Sequence, residues 1–214
     1  KSSLARKYAM ALSGLFLVVF LLQHFTINLT SVFSEDVFNE ISHFMGNNPL
    51  VQFVLQPILI FGVIFHFLMG FVLELKNRSA RTQNYAQNKG SANSSWMSRN
   101  MIWSGAVILS FLVLHFIDFW FPEMNYKYIE SLPSDPNRYF EEMVHKFVNP
   151  IRVVAYVVSF VFLMLHLLHG FSSSFQSVGL NNKYTRGLKS FTIAFSIVIP
   201  VGFIFIALFH HLNA

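Results

Sequence analysis

Apolar residues run through this chain in long blocks, and charged residues fall almost wholly between the blocks. The intervals between Glu40 and Glu74, Arg99 and Asp118, Arg152 and Lys183, and Lys189 and the C-terminus hold no Asp, Glu, Lys or Arg. About 20 such residues in a helix cross a bilayer core of ~30 Å, and only a helix satisfies its own backbone there. The pattern therefore predicts five membrane-spanning helices, near residues 8–33, 50–75, 100–120, 153–175 and 191–210. Asn149-Pro150 is a start signal for the fourth, and Pro57 and Pro200 are read as lying near span ends, where a missing N–H costs little. The expected fold class is all-α, a polytopic bundle forming a single transmembrane domain over residues 1–214.

Composition agrees with that class, at 54% hydrophobic and 12% charged residues. The net charge of +5 does not point to nucleic acid, because the basic residues gather in short segments between spans. Lys1, Arg6 and Lys7 precede the first span; Lys76, Arg78, Arg81, Lys89 and Arg99 bracket the second connection; Lys183, Arg186 and Lys189 lie between the fourth and fifth. The opposite connections carry Glu35, Asp36 and Glu40, then Asp118, Glu123, Glu130, Asp135, Glu141 and Glu142. The positive-inside rule puts the N-terminus in the cytoplasm and the C-terminus outside. The first apolar segment is too long for a cleavable signal peptide, so none is expected.

Four histidines lie deep inside four of these spans. His24 and His115 share one frame, Ser13-Gly14 and Ser104-Gly105 each followed after nine residues by His-Phe. His66 and His166 share another, each followed four residues on by Gly-Phe at Gly70-Phe71 and Gly170-Phe171. An ionisable side chain in hydrocarbon marks a functional site by default. At ~1.5 Å per residue, His24 (17 residues past Lys7) and His115 (16 past Arg99) lie roughly 25 Å from the cytoplasmic face. His66 and His166, each 16 residues past the outer start of its span, lie near the cytoplasmic side. Two centres some 15–20 Å apart along the membrane normal follow, an arrangement suited to electron transfer.

The chemistry of the donors points to haem. The chain has no cysteine, which removes disulfides, thiolate sites, iron–sulfur ligation and the thioether link of c-type haem. Two imidazoles from facing helices leave four positions for a porphyrin, whereas zinc would call for a further ligand at the same depth, and no carboxylate is expected inside a span. Gly14 and Gly105 lie ten residues, ~15 Å, nearer the cytoplasm than His24 and His115, so they belong beside the inner pair. There, with Gly70 and Gly170, they let a flat ring approach the backbone, and Ser13 and Ser104 are read as partners of inner propionates. Each residue also has a plainer reading, since single histidines and Ser-Gly pairs occur as packing residues in membrane helices. The 26 phenylalanines are read as lipid-facing or packing residues. His145, His210 and His211 are read as solvated, and His43 as an outer-loop residue near the outer centre.

The chain resembles the five-helix, dihaem cytochrome b anchor (b558-type) of succinate dehydrogenases and fumarate reductases. The resemblance spans nearly the whole length: Ser-Leu-Ala-Arg-Lys (3–7), Ala-Leu-Ser-Gly-Leu-Phe-Leu (11–17) running to His24, His66 with Gly70, and His115. Its most specific stretch is Leu-His-Leu-Leu-His-Gly-Phe (165–171) with Phe-Gln-Ser-Val-Gly-Leu-Asn (175–181). The resemblance implies axial pairs His24–His115 for the outer haem and His66–His166 for the inner one. It implies two haem b groups, menaquinone or ubiquinone as substrate, and docking of a flavoprotein and an iron–sulfur subunit on the cytoplasmic side. It further implies a bacterial cytoplasmic membrane, a respiratory and tricarboxylic acid cycle role, and no succinate site on this chain.

Several assignments stay open at this level. His169, one turn from His166, competes as fourth ligand, although the repeated His-x-x-x-Gly pattern favours His166 and leaves His169 at the haem edge. Asn39, Glu40, His43, Gln52 and Gln56 are the polar groups that could serve a quinone on the outer side, and Arg152 and Asn149 could meet outer propionates. Arg6 and Lys7 could neutralise inner propionates, and Arg78, Arg81, Lys183 and Arg186 serve as docking or topology residues. Met164 stands where some fumarate reductases of the family carry a glutamate, which favours succinate oxidation over the reverse direction. The alternatives are a fumarate reductase anchor, a dihaem anchor of a hydrogenase or formate dehydrogenase, and a histidine-lined proton or metal transporter.

Overall fold

The computed structural model describes residues 3–79, 100–180 and 185–214. Lys1, Arg81, Lys89, Arg99, Asn181 and Lys183 lie outside them. Five helices are long and apolar enough to cross a membrane, and the chain is a multi-pass helical membrane protein. They are α1 (Ser3–Thr30), α3 (Gln56–Ser79), α4 (Met101–His115, continuing to Ile129), α6 (Pro150–Ser177) and α7 (Thr185–Leu212). Two shorter helices, α2 (Glu35–Asn47) and α5 (Arg138–Phe147), lie between spans.

Local chemistry sets the ends and bends. The Ser34 hydroxyl accepts from the Val37 N–H at 3.3 Å, and Glu35 and Asp36 sit in the first turn of α2, where the helix dipole favours negative charge. The Asn149 side chain accepts from the Ile151 and Arg152 N–H groups ahead of Pro150, which starts α6. Two of the three π-turns among the described residues, Val51–Leu55 leading into α3 and Phe116–Trp120 within α4, fall just before Pro57 and Pro122. Each proline lacks the N–H that would bond the carbonyl four residues back, so the helix widens there. Pro200 lies near the middle of α7, not near an end, and is fully buried.

The helices α1, α3, α4 and α6 form a ring in which each packs on the next, and α7 lies outside it against α6 and α1. The diagonally opposed helices, α1 with α4 and α3 with α6, share almost no backbone contact. That leaves the ring's interior to side chains. Phe16 presses on Gly62 and Phe25 on Gly202 so closely that a Cβ at either glycine would overlap the ring, and this brings α1 against α3 and α7. On α7, the buried face runs Thr192, Phe195, Ser196, Ile199, Phe203, Ile206, Ala207 and His210, a helical stripe that docks on the ring.

The helices α2 and α5 cap one end of the bundle together with the last turns of α4. Asn39 latches them, its amide donating to the Asn137 carbonyl at 3.1 Å and its oxygen accepting from the Phe140 N–H at 2.8 Å. Arg138 lies between the rings of Tyr126 and Tyr139, 4.0 and 4.4 Å from their centroids, and pairs with Glu123 and Glu142. Burial alone would drag the Arg138 guanidinium down, but bonding to and attraction by the two carboxylates hold it above its ordinary value. Burial, reinforced by Glu123, pushes the Tyr139 phenol up.

Candidate functional site

The four intramembrane histidines reach inward across the two diagonals of the ring. His24 on α1 faces His115 on α4 with ring centroids 5.7 Å apart and planes at 88°. His66 on α3 faces His166 on α6 at 6.5 Å and 68°. Two imidazoles gripping one metal from opposite sides, at a metal–nitrogen distance of about 2.0 Å each, would have centroids about 6 Å apart. Both pairs are spaced for that. Among the described residues no group of three His, Cys, Asp or Glu side chains forms at either pair.

The pairs occupy different depths. A Cβ on Gly14 would lie 3.3 Å from His66 Cε1, and one on Gly105 would lie 3.8 Å from His166 Cε1. Both glycines are therefore beside the His66–His166 pair, ten residues or ~15 Å along their helices from His24 and His115. The latter pair lies towards the capped end. Met10 and Met101 complete a second correspondence, their methyl groups lying against Gly70 and Gly170. Met-x-x-Ser-Gly thus recurs at 10–14 and 101–105, each copy meeting a His-x-x-x-Gly on the next membrane-spanning helix. The helix pairs α1–α3 and α4–α6 are two copies of one arrangement. The methionines were a signal the histidine frames did not include.

Hydrogen bonding holds both rings of the His66–His166 pair in the same way. Ser13 Oγ lies 3.0 Å from His66 Nδ1 and donates its single proton to the Met10 carbonyl at 2.9 Å. Ser104 Oγ lies 3.1 Å from His166 Nδ1 and donates to the Met101 carbonyl at 2.9 Å. With its proton on the carbonyl, each hydroxyl is placed to accept from an Nδ1–H, the tautomer that leaves Nε2 bare. The two serines, read from the sequence as partners of inner propionates, lie against the histidines.

The His24–His115 pair is held differently. Its rings pack among Phe20, Phe111, Phe119, Tyr156 and Phe203. The polar neighbour of His24 is the Asn28 amide, 3.4 Å from Nε2, while His115 Nδ1 is buried without a hydrogen-bond partner. A buried orphan of this kind costs about 1–3 kcal/mol. One turn beyond His115, Asp118 is buried inside α4, accepting from Tyr156 Oη at 2.9 Å and paired with Arg152 Nε at 3.2 Å. This corrects the expectation that no carboxylate lies within a span, and it gives Arg152, expected at a propionate, a protein partner.

The remaining expected residues are dispersed. Both polar atoms of Asn39 are spent on the α2–α5 latch. Asn149 caps α6, and Glu40 is exposed. His43 Nδ1 lies 3.1 Å from the Asn47 amide and its ring packs on Tyr139. Gln52 bonds the Gly46 carbonyl and accepts from Tyr128 Oη, and Gln56 is half-buried at the start of α3. His169 is half-buried one turn from His166, and it is His166 that stands opposite His66. His145 is exposed, but His210 and His211 are not solvated as expected. His210 is buried against Phe140 with Nε2 2.8 Å from Ser31 Oγ, and His211 Nδ1 donates to the Phe147 carbonyl at 2.8 Å.

Comparison of the chain with models of protein families, with curated proteins and with solved structures finds no match.

Proposed function

We propose that this chain is the dihaem cytochrome b anchor of a succinate:quinone oxidoreductase, with His24 and His115 holding one haem b and His66 and His166 the other. The observation that carries the reading is the pair of diagonal imidazole clasps at two depths, 5.7 and 6.5 Å between ring centroids. Bound there, the two haems supply one-electron carriers at two levels of the membrane. The chain's own residues do the rest. Ser13 and Ser104 hold the His66 and His166 rings through Nδ1; Gly14 and Gly105 let those rings lie close to the backbone of α1 and α4; and Phe111, Phe119 and Phe203 keep water from the other pair. The resemblance of residues 3–24 and 165–181 to the family supports a flavoprotein and an iron–sulfur subunit as partners, and menaquinone or ubiquinone as the lipid-soluble substrate. Met164, in place of the glutamate some fumarate reductases carry, supports succinate oxidation as the direction.

The decisive measurement is the visible spectrum of the purified protein. The expected result is a reduced b-type band with two haems per chain, falling to one in His24→Ala and to one in His66→Ala. A colourless protein that binds zinc or moves protons would replace this reading with that of a transporter.

A further inference from the structure

We infer that Ser13 and Ser104 are positioning residues that hold the His66 and His166 imidazoles as Nδ1–H donors and thereby lower the reduction potential of the metal those rings bind. The inference rests on the proposed haem ligation but concerns residues that ligation does not use. In both halves of the chain the geometry is the same: a serine one helix away, its proton given to the carbonyl three residues earlier, its lone pair turned to Nδ1 at 3.0 or 3.1 Å. Ser104 is buried, so water does not compete for the bond. An imidazole whose N–H is held by an acceptor is a more basic ligand, and a more basic ligand favours the oxidised, more positive metal.

The other pair is an internal control. His115 Nδ1 is buried with no partner, and the contact to His24 is the 3.4 Å approach of the Asn28 amide at Nε2. Whatever else sets the two potentials, this device acts on one centre alone.

The test is a redox titration of the purified holoprotein, wild type against Ser13→Ala, Ser104→Ala and the double variant, each haem followed by its own band. Expected is a positive shift of one haem's midpoint potential in each single variant, a larger one in the double, and no change in the other haem. Ser13→Thr and Ser104→Thr, which keep the hydroxyl, should return the potential towards wild type. Two haems retained with neither potential moved would overturn the inference while leaving the ligation intact. Equal shifts of both haems, or Thr variants that behave like Ala, would also overturn it, because the effect would then be one of packing. A wild-type protein without haem would instead remove the reading on which the inference stands.

Discussion

At the scale of single residues, the most consequential choices are small ones. Gly14 has no side chain because His66 Cε1 and Ser174 Oγ occupy the space within 3.3 and 3.4 Å of where its Cβ would be. Gly14→Val is therefore expected to push the His66 ring off its line to His166 and lower the haem count from two to one, measured by pyridine haemochrome. Gly187→Val, at a glycine with open space around it, should leave two. Among residues, the histidine positions were the legible part, since four imidazoles in charge-free segments stand out against any background. Asp118 was misread as a boundary because an isolated charge in hydrocarbon is so costly. Its cost is offset by Arg152 and Tyr156 from α6, partners that lie 34 and 38 residues away in sequence.

At the scale of elements, the five spans were readable and the cap was not. Long apolar blocks admit one solution in a membrane, so their existence follows from composition even though α4 runs on to residue 129 and α7 begins at residue 185. The charged ends were discounted, although Arg186 and Lys189 sit comfortably in the first turns of α7. For α5, the signal was present: Tyr139, Phe140, Met143, Val144 and Phe147 repeat at helical spacing and pack into the core. The same argument applies to His210, which continues the buried stripe of α7 from Phe203 and Ile206. Arg138 ties α5 to the last turns of α4 through Glu123, so Arg138→Met should cost about 3 kcal/mol, because Glu123 loses its partner at a largely buried site. The expected readout is a lower melting temperature, with faster amide exchange confined to α2 and α5 and an unchanged two-haem spectrum.

At the scale of the whole molecule, the two halves of the chain are copies with the same motif order, yet no clasp is made within a half. His24 and His66 come from α1 and α3, while His115 and His166 come from α4 and α6. Sequence frames give depth, which pairs every ring with the opposite copy, but not azimuth, so the diagonal placement of the four helices could not be read from them. Residues 1–85 and 86–214, expressed as separate pieces, are accordingly expected to be colourless alone and to develop two haems only when made together, scored by the same absorption band. The interlock bears on biogenesis: when only the leading copy has entered the lipid, two half-finished clasps are present, those of His24 and His66, and no finished one. Under the proposed ligation, cofactor capture would wait for the trailing copy, and each captured molecule would rivet one copy to the other, so that the act of loading would also close the bundle.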